Sequence, residues 1–478
     1  MSLIQTNLSR FFKKFPERPI VVAYSGGIDS QVLLHALSQL KLQNLLSNEL
    51  SVCHINHGLS SNAGIWQEAA EIFCQKLSIP IQVIEVNVKE ISGESLEALA
   101  REARYEAIKS YSVNNALIVT GHHLDDQGET FLLALKRGAG LKGLSAMADT
   151  VKLHFGSTLA KAVEPADQLL VRPLLNVSRK EINSYALLHN LTWVEDESNK
   201  DLRFDRNFIR HQIMPLLTDR WPAMLSTIKR SSEHCQEGQL LLTELAVQDL
   251  SCCQLSRVSL SVNELTKLSS ARFNNLIRYF LEVNHCLMPS TKQLQQIQLQ
   301  LLAASDKSPE IKVSNYWLRR FKGELVITPN YQNLLSWQYH FSIERVKNTK
   351  HIIPLPDGLG QLCFKLDNNA NKTQPFCKGE PNLVLYLKPP EPTQQITIRF
   401  SHENPKCLPE FRQHSRELKK VLQELNIAPW QRKRIPFIYY KDILVCAVGY
   451  FICKEYLAKN ADVAIVLSWN KESTIINN

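Results

Sequence analysis

The hydrophobic positions in the first 140 residues follow two different spacings. Short apolar runs are typical of strands, and longer stretches with apolar residues three or four positions apart are typical of helices. The runs predict strands near 20–24, 50–55, 81–86 and 117–120, and the longer stretches predict helices near 31–40, 65–77 and 94–111. This alternation predicts an α/β fold, in which a doubly wound parallel sheet carries helices on both faces and binds ligands at the carboxyl ends of its strands.

The pattern changes after this alternating region. Helical spacing dominates from about 222 to 302, a β-rich piece follows at 316–328, and the chain is then poorly periodic to about 392. From 395 onwards, strand patterns surround one basic helix pattern. We therefore expect a domain at 1–216, a mainly helical domain at 217–345, a linker of uncertain structure at 346–394 and a small α+β domain at 395–478.

Composition narrows the class of protein. The chain has 478 residues, 44% of them hydrophobic and 21% charged, and a net charge of +9, which favours a polyanionic partner. Its eleven cysteines include no Cys-x-x-Cys pair, so neither a disulfide framework nor a zinc or iron–sulfur site is indicated. We find no signal-peptide pattern and no run of 18 apolar residues, and we expect a cytoplasmic protein without membrane contact.

The first candidate site lies between the first strand and the following helix. The loop reads Ser25-Gly26-Gly27-Ile28-Asp29-Ser30. Paired glycines allow a close approach of the backbone to an anion, serine hydroxyls donate hydrogen bonds, and a helix N-terminus directs N–H groups at the bound charge. No lysine follows the glycines, so the loop is not a Walker A motif. The sequence predicts a phosphate-binding loop.

A second cluster of polar residues follows the strand at 117–120. It reads Gly121-His122-His123-Leu124-Asp125-Asp126-Gln127-Gly128-Glu129-Thr130. On a helix that begins near Asp125, the carboxylates of Asp126 and Glu129 share one face, with His122 just before the helix. Carboxylates so close repel each other unless a cation lies between them. Mg²⁺ on a triphosphate or the ammonium group of a substrate meets that need.

These motifs resemble those of known enzymes. SGGIDS resembles the SGGxDS signature of the PP-loop ATP pyrophosphatases, which have the adenine nucleotide α-hydrolase-like fold. HHLDDQGET, followed by RGAGLKGL at 137–144, is similar to the pattern of the tRNA(Ile)-lysidine synthetase family. Further elements of that family match Glu97 with AREARY at 100–105, RPLL at 172–175, and Asn199, Arg203, Arg206, Asn207 and Arg210. The departures are Gly128, where alanine is common, and Lys136, where leucine is usual.

The resemblance implies an activity. The family uses ATP to adenylate O2 of the wobble cytidine, position 34, in the minor isoleucine tRNA with a CAU anticodon. The ε-amine of L-lysine then displaces AMP at C2, and the product, lysidine, changes codon reading from AUG to AUA. ATP and Mg²⁺ as cofactors, tRNA(Ile) and L-lysine as partners, and a homodimer are therefore expectations.

The resemblance also implies residue roles. Ser25, Gly26, Gly27, Ile28, Asp29 and Ser30 would bind the ATP phosphates. Asp29 and Asp126 would hold Mg²⁺, while His122, Asp126 and Glu129 would orient the lysine or face a second metal ion. Arg206, together with Arg101 or Arg104, would contact the adenylate or the tRNA backbone.

The C-terminal segment carries most of the excess charge. Residues 399–441 contain ten Lys or Arg and four Glu. The spacing predicts a helix with Arg416, Lys419 and Lys420 on one side and an apolar stripe on the other. The segment resembles the C-terminal tRNA-binding domain of the longer lysidine synthetases, which implies that these three residues bind tRNA.

Two alternative functions stay open from the sequence. A PP-loop tRNA thiolase is the nearest enzymatic alternative, but such enzymes generally carry paired Cys-x-x-Cys motifs or a cysteine close to the loop. A non-catalytic RNA-binding protein with a relic nucleotide fold is the second, and the complete SGGIDS loop with carboxylates at 126 and 129 argues against it.

Overall fold

The computed structural model describes most of the chain as two compact units, residues 1–245 and 246–478. The described residues are 1–56, 62–86, 103, 107, 115–153, 168–194, 197–301, 309–347, 349–367, 383–458 and 463–471. The helix predicted near 94–111 lies almost entirely outside them. No described helix has both the length and the apolar character needed to cross a membrane.

The first unit is built on a six-stranded sheet in the order β3-β2-β1-β4-β6-β5. Its strands are β1 (Ile20–Tyr24), β2 (Leu50–Asn56), β3 (Ile81–Glu85), β4 (Leu117–Val119), β5 (Thr150–Lys152) and β6 (Leu169–Val171). All neighbours pair in parallel except β5, which runs antiparallel to β6 at the edge. The predicted parallel α/β domain is confirmed.

Helices cover this sheet because alternate strand residues are buried on opposite faces. Val22 belongs to one hydrophobic cluster and Val21 to another. The helices are α1 (Leu3–Phe12), α2 (Ile28–Leu42), α3 (Ala63–Lys76), α4 (Leu124–Lys136), α5 (Leu141–Leu144), α6 (Arg179–Leu188), α7 (Asp205–Phe208) and α8 (Met214–Arg220). The long helix α9 (Met224–Cys253) follows them.

The strand order places a topological switch point between β1 and β4. The chain proceeds from β1 to β2 and β3 on one side, and to β4 and β6 on the other. The connections that follow β1 and β4 therefore lead to opposite sides of the sheet. Such a switch point forms a crevice at the carboxyl ends of the strands, which is where open α/β sheets bind ligands. Both candidate motifs of the sequence lie there.

The second unit begins with helices around a five-stranded antiparallel sheet. The helices are α10 (Val262–Leu265), α11 (Ser270–Val283) and α12 (Thr291–Leu301), and the strands are β7 (Gln254–Ser256), β8 (Ser259–Ser261), β9 (Glu310–Val313), β10 (Tyr316–Phe321) and β11 (Glu324–Pro329). The strand order is β7-β8-β11-β10-β9. The region expected to be mainly helical thus packs its helices against a complete sheet.

Two further sheets form the C-terminal part. One has the order β12-β16-β19-β20-β21 and the other β13-β14-β22-β15. Their elements are β12 (Gln338–Ser342), α13 (Glu344–Lys347), β13 (His351–Pro354), β14 (Gln361–Asp367), β15 (Leu383–Leu387), β16 (Gln395–Arg399), β17 (Lys406–Cys407), β18 (Arg416–Glu417), α14 (Leu418–Glu424), α15 (Pro429–Arg432), β19 (Phe437–Tyr440), β20 (Ile443–Ala447), β21 (Phe451–Ile452) and β22 (Ala464–Asn470).

The expectation of a linker at 346–394 was wrong for its described residues. This segment contains β13, β14 and β15. The strands β14 and β15 both pair with β22, which lies at 464–470, near the other end of the domain. The local sequence did not indicate which partner would pair with these strands, because strand formation depends on tertiary context.

Candidate active site

The predicted phosphate loop connects β1 to α2 at the centre of the sheet. Gly26 has φ +83°, a conformation that glycine adopts without strain, and Gly27 is the N-cap of α2. The Ser30 hydroxyl donates to the Gly27 carbonyl at 2.9 Å and lies 3.3 Å from the Ser25 hydroxyl. The Ile28 side chain is buried in the core and anchors the first residue of α2. The loop therefore points the first N–H groups of a 15-residue helix at the crevice.

The loop after β4 lies against this phosphate loop. A Cβ atom on Gly121 would lie 3.0 Å from the Asp29 carbonyl carbon and 3.1 Å from the Ser30 nitrogen, distances that real Cβ atoms rarely show. Gly121 thus permits contact between the two backbones. The contact fixes the polar residues at the start of α4 beside the phosphate loop.

An arginine that the sequence analysis did not select holds the Asp29 carboxylate. Arg179, the first residue of α6, donates from one Nη to both carboxylate oxygens of Asp29, at 2.7 and 2.8 Å. Its backbone N–H donates to Asp125 at 2.8 Å, so α6 is tied to α4 as well. Burial raises the pKa of the Asp29 carboxyl and outweighs the opposing charges of His123 and Arg179. An additional cation at Asp29 would therefore be favourable.

His123 lies between three carboxylates. Its ring is buried, and its nitrogens lie 3.5 to 3.6 Å from oxygens of Asp29, Asp125 and Asp126. Burial alone would lower the pKa of the His123 ring, but these carboxylates outweigh it and raise that pKa. The carboxylates thus favour the protonated form of His123 between the phosphate loop and α4. Its neighbour His122 is half-buried, with Nδ1 2.8 Å from the Thr120 hydroxyl.

The carboxylates of Asp126 and Glu129 share a face, as predicted, and two arginines fill that face. Arg206 contacts Glu129 at 2.7 Å and Asp126 at 3.0 Å. Arg210 contacts Glu129 at 2.6 and 3.0 Å and Asp126 at 3.2 Å. Glu129 is 1% exposed, so this is a nearly buried group of two carboxylates and two guanidinium groups. Burial alone would raise the pKa of the Asp126 carboxyl, but the charges of His123 and Arg206 lower it.

Local helix geometry explains why both arginines reach the same acids. Arg206 lies in α7 and Arg210 in the following π-helical segment, Ile209–Ile213, four residues further on. Residues four apart lie on one side of a helix, and π-helical turns are frequent at functional sites. The sequence places two arginines four residues apart, at 206 and 210, a spacing that indicates a shared side of a helix. Only the structure shows which acids these arginines face.

The structure brings most of the predicted site residues together. Asp29, Asp126, Glu129 and Arg206 are linked through His123, Arg179 and Arg210 into one network of charges. Arg101 and Arg104 lie outside the described residues. The network borders a phosphate-binding loop and is internally compensated, so it could accept an anionic nucleotide with its metal and a cationic second substrate.

The described cysteines do not provide a reactive thiol in the first unit's core. Cys53 and Cys74 are buried, and burial raises the pKa of each thiol to about 12. A thiol with such a pKa carries almost no thiolate at neutral pH, and the thiolate is the reactive form. This argues against Cys53 and Cys74 as the catalytic cysteines of a thiolase.

The basic C-terminal segment differs from its prediction in one respect. Lys419 and Lys420 lie on the exposed side of α14 while Leu418, Val421 and Leu422 are buried, as expected. Arg416 was expected on the same helix, but it lies in the short strand β18 and forms an ion pair with Glu424. The hydrogen bonds between β17 and β18 extend the chain before α14 begins.

Comparisons with known proteins cover the whole chain. Family models match at three places: the PP-loop domain at residues 1–217, the TilS substrate binding domain at 260–326 and the TilS substrate C-terminal domain at 396–469. The tRNA(Ile)-lysidine synthase of Edwardsiella ictaluri is 38% identical over 460 residues, 95% of this chain and 96% of the relative. That of Coxiella burnetii is 38% identical over 457 residues, 94% of this chain and 92% of the relative.

Proposed function

Because the chain belongs to the tRNA(Ile)-lysidine synthase family, we infer that it is the ATP-dependent ligase that attaches L-lysine to C2 of cytidine 34 in the CAU-anticodon isoleucine tRNA. AMP and pyrophosphate are the other products. One observation carries the inference from the structure: the phosphate loop and the charged face of α4 are in direct contact through Gly121 and His123. ATP and the second substrate can therefore meet in one crevice.

We propose that ATP lies on the phosphate loop with Mg²⁺ on its phosphates. Mg²⁺ is usually bound by one or two carboxylates, phosphates and waters, rather than by a cage of protein ligands. Asp29 and Asp126 fit this role, since both carboxylates lie within 3.6 Å of the same ring nitrogen of His123. Among the described residues, no group of three or more His, Cys, Asp or Glu side chains is arranged to hold a metal ion, which agrees with a metal that arrives with the nucleotide.

The reaction has two displacements. O2 of the cytidine attacks the α-phosphorus of ATP, and pyrophosphate leaves. The lysine ε-amine then attacks C2 and gives up a proton as AMP leaves. The chain's own part is to position the reactants and balance charge, which is most of catalysis in phosphoryl chemistry.

We propose that Arg206 and Arg210 exchange partners during the reaction. They neutralise Asp126 and Glu129 in the structure. A lysine ammonium group that binds these carboxylates would release a guanidinium group, which can then contact the phosphate of the adenylate. This exchange keeps the site close to electroneutral and is consistent with the roles proposed for Asp126, Glu129 and Arg206. His122, beside the start of α4, would help to orient the lysine.

One experiment tests the function directly. The full-length protein is incubated with radiolabelled lysine, ATP and the isoleucine tRNA, and the wobble nucleoside is analysed. Label in that nucleoside is expected, and it should disappear when the wobble cytidine is replaced by uridine. A protein that binds the tRNA but releases no pyrophosphate in the presence of lysine would instead be a non-catalytic RNA-binding protein.

Replacing Arg179 by Ala is expected to weaken ATP binding. With Asp29 holding Mg²⁺, the Arg179 guanidinium would be free to contact the triphosphate from the same position. Loss of a hydrogen bond to a charged group costs about 1.5–3 kcal/mol, which corresponds to a roughly 10- to 150-fold higher Kd for ATP. Because the Arg179 side chain is 39% exposed, we expect the lower part of this range. Calorimetric titration with Mg-ATP measures the effect.

Lys180 provides the matched control for Arg179. It is the next residue on α6 and is exposed. Lys180→Ala removes the same charge from the same helix and should leave ATP affinity unchanged. Equal affinities of the two variants would mean that Arg179 only anchors Asp29.

Replacing Arg416, Lys419 and Lys420 together by Ala is expected to weaken tRNA binding without affecting the ATP site. All three are exposed in the domain matched by the TilS substrate C-terminal model. Removing one cation that binds a phosphate should reduce the slope of log affinity against log salt by about 0.7 to 0.9, so the slope should fall by roughly 2 to 3 units in the triple variant. Saturating tRNA should restore much of kcat. An unaltered slope would remove this surface from the tRNA-binding site.

We place the reaction in a reducing cytoplasm. The ten described cysteines are all free, and most of them are buried as small hydrophobic residues.

A further inference from the structure

Two phenylalanines beside the charged site are exposed to solvent. Phe204, the N-cap of α7, is 50% exposed, and Phe208, the last residue of α7, is 46% exposed. The Phe208 N–H donates to the Phe204 carbonyl at 3.0 Å, so the two residues lie one helical turn apart on the same side. Arg206 lies between them in sequence and faces Glu129. The two rings therefore lie on the outer side of α7, and the opposite side of α7 faces Asp126 and Glu129 of α4.

Charged residues lie next to Phe204 in the chain, and further apolar side chains of the first unit are exposed. Asp205 of the same helix forms an ion pair of 2.6 Å with Lys136, at the end of α4, and the next residue, Arg137, is exposed. Leu202 and Trp221 are 45% and 55% exposed. Within the described residues, neither Phe204 nor Phe208 packs against another aromatic ring. Neighbouring exposed apolar side chains such as Phe204 and Phe208 mark interaction sites.

We propose that Phe204 and Phe208 form a stacking surface for the unpaired nucleotides beside the wobble cytidine, and that Lys136 and Arg137 contact their phosphates. The proposal rests on the function inferred above. The wobble base lies in a single-stranded loop, and unpaired RNA bases are recognised by stacking on aromatic side chains next to basic groups. An α-helix with its side chains is about 10 Å across. The rings on one side of α7 therefore lie about one or two nucleotide lengths from the acids of α4 that face its other side.

The chemistry of the surface favours RNA over a second copy of the chain. The cores of protein–protein interfaces are depleted of charged residues. Here Arg203 and Asp205 are the chain neighbours of Phe204, Asp205 forms its ion pair with Lys136, and the Arg203 side chain is 89% exposed. Aromatic rings interleaved with exposed cations fit a polyanion with stacked bases.

Fluorescence of aminopurine tests the proposal with the full-length chain. The base is placed next to the wobble cytidine in an anticodon stem-loop RNA, and stacking on a ring quenches its emission. Phe208→Ala is expected to reduce the quenching and to lower RNA affinity about 5- to 150-fold, the range found when a stacking aromatic residue is removed. Phe208→Trp should retain both signals, whereas Phe208→Leu, which keeps the apolar character without a ring, should lose them.

Leu187→Ala is the matched control, because Leu187 is 70% exposed on α6 of the same unit. It should leave quenching and RNA affinity unchanged. Wild-type quenching in Phe208→Leu would overturn the proposal, as would a change of sedimentation coefficient in Phe208→Ala with unchanged RNA affinity, which would assign the rings to an interface between copies. Lysine incorporation at saturating RNA tests the inferred function separately, since it does not depend on RNA affinity.

Discussion

Replacing Asp29 by Asn is expected to abolish adenylation while the fold is retained. The carboxylate lies at the start of α2, where the phosphate loop meets α4 and α6. We propose that it holds Mg²⁺ against the triphosphate, and an amide cannot supply that charge. Loss of a group that stabilises charge in a transition state lowers kcat by about 100- to 1000-fold. Release of pyrophosphate from ATP in the presence of tRNA measures this step.

The fold can be checked in the same variant. Asn retains an oxygen that accepts a hydrogen bond from Arg179, so the contact between α2 and α6 can persist and the melting temperature should change little. Asp149→Asn is a suitable control, because Asp149 is an exposed acid of the same unit that lies 4.0 Å from Lys14. Wild-type pyrophosphate release by Asp29→Asn would exclude the carboxylate as a metal ligand.

Replacing Glu129 by Gln is expected to raise the KM for lysine and to destabilise the first unit. Both oxygens of Glu129 bind guanidinium groups, and its side chain is 2% exposed. Removing one partner of a buried ion pair costs about 3–5 kcal/mol. Because Arg206 and Arg210 are 27% and 32% exposed, solvent reduces this cost, and Asp126 remains as a partner. Removing a charge-assisted hydrogen bond to the lysine ammonium corresponds to a roughly 10- to 150-fold higher KM.

Steady-state kinetics with varied lysine and thermal unfolding measure the two effects. Asp205→Asn is the control: it removes a carboxylate next to Arg206, but its partner Lys136 is 58% exposed and Asp205 itself 63%. Such surface pairs contribute about 0–1 kcal/mol, so both measurements should stay near wild type. If Glu129→Gln lowers stability but leaves the lysine KM unchanged, the acid only anchors the arginines.

In this site, arginine side chains of the protein lie at the positions that we propose for the bound cations. Arg179 lies where we place the metal at Asp29, and Arg206 and Arg210 lie where we place the lysine ammonium. Such internal ion pairs orient the carboxylates and offset their charge without substrate. Both substrates would then bind by exchange of partners rather than by insertion of uncompensated charge.

Features that depend on local order could be predicted from the amino-acid pattern alone. The SGGIDS loop lies between a strand and a helix, and the spacing of Asp126 and Glu129 puts both on one face of α4. Alternating strand and helix patterns were sufficient to predict the parallel sheet, because hydrophobic periodicity reflects which side of each element is buried. Motif order along the chain was specific enough to indicate the family.

Which charges meet depends on how the chain folds in three dimensions. Arg179 reaches Asp29 across 150 positions of sequence, and Arg210 reaches Glu129 across 81. Within 346–394, β14 and β15 form by pairing with β22. Arg416 is in a strand rather than in the predicted helix because β18 pairs with β17. The ion pairs and the pairing with β22 join residues that are distant in sequence. At Arg416, a strand pairing replaces the predicted helical turn. Local periodicity carries no information about such partners, since it records only how each segment is buried.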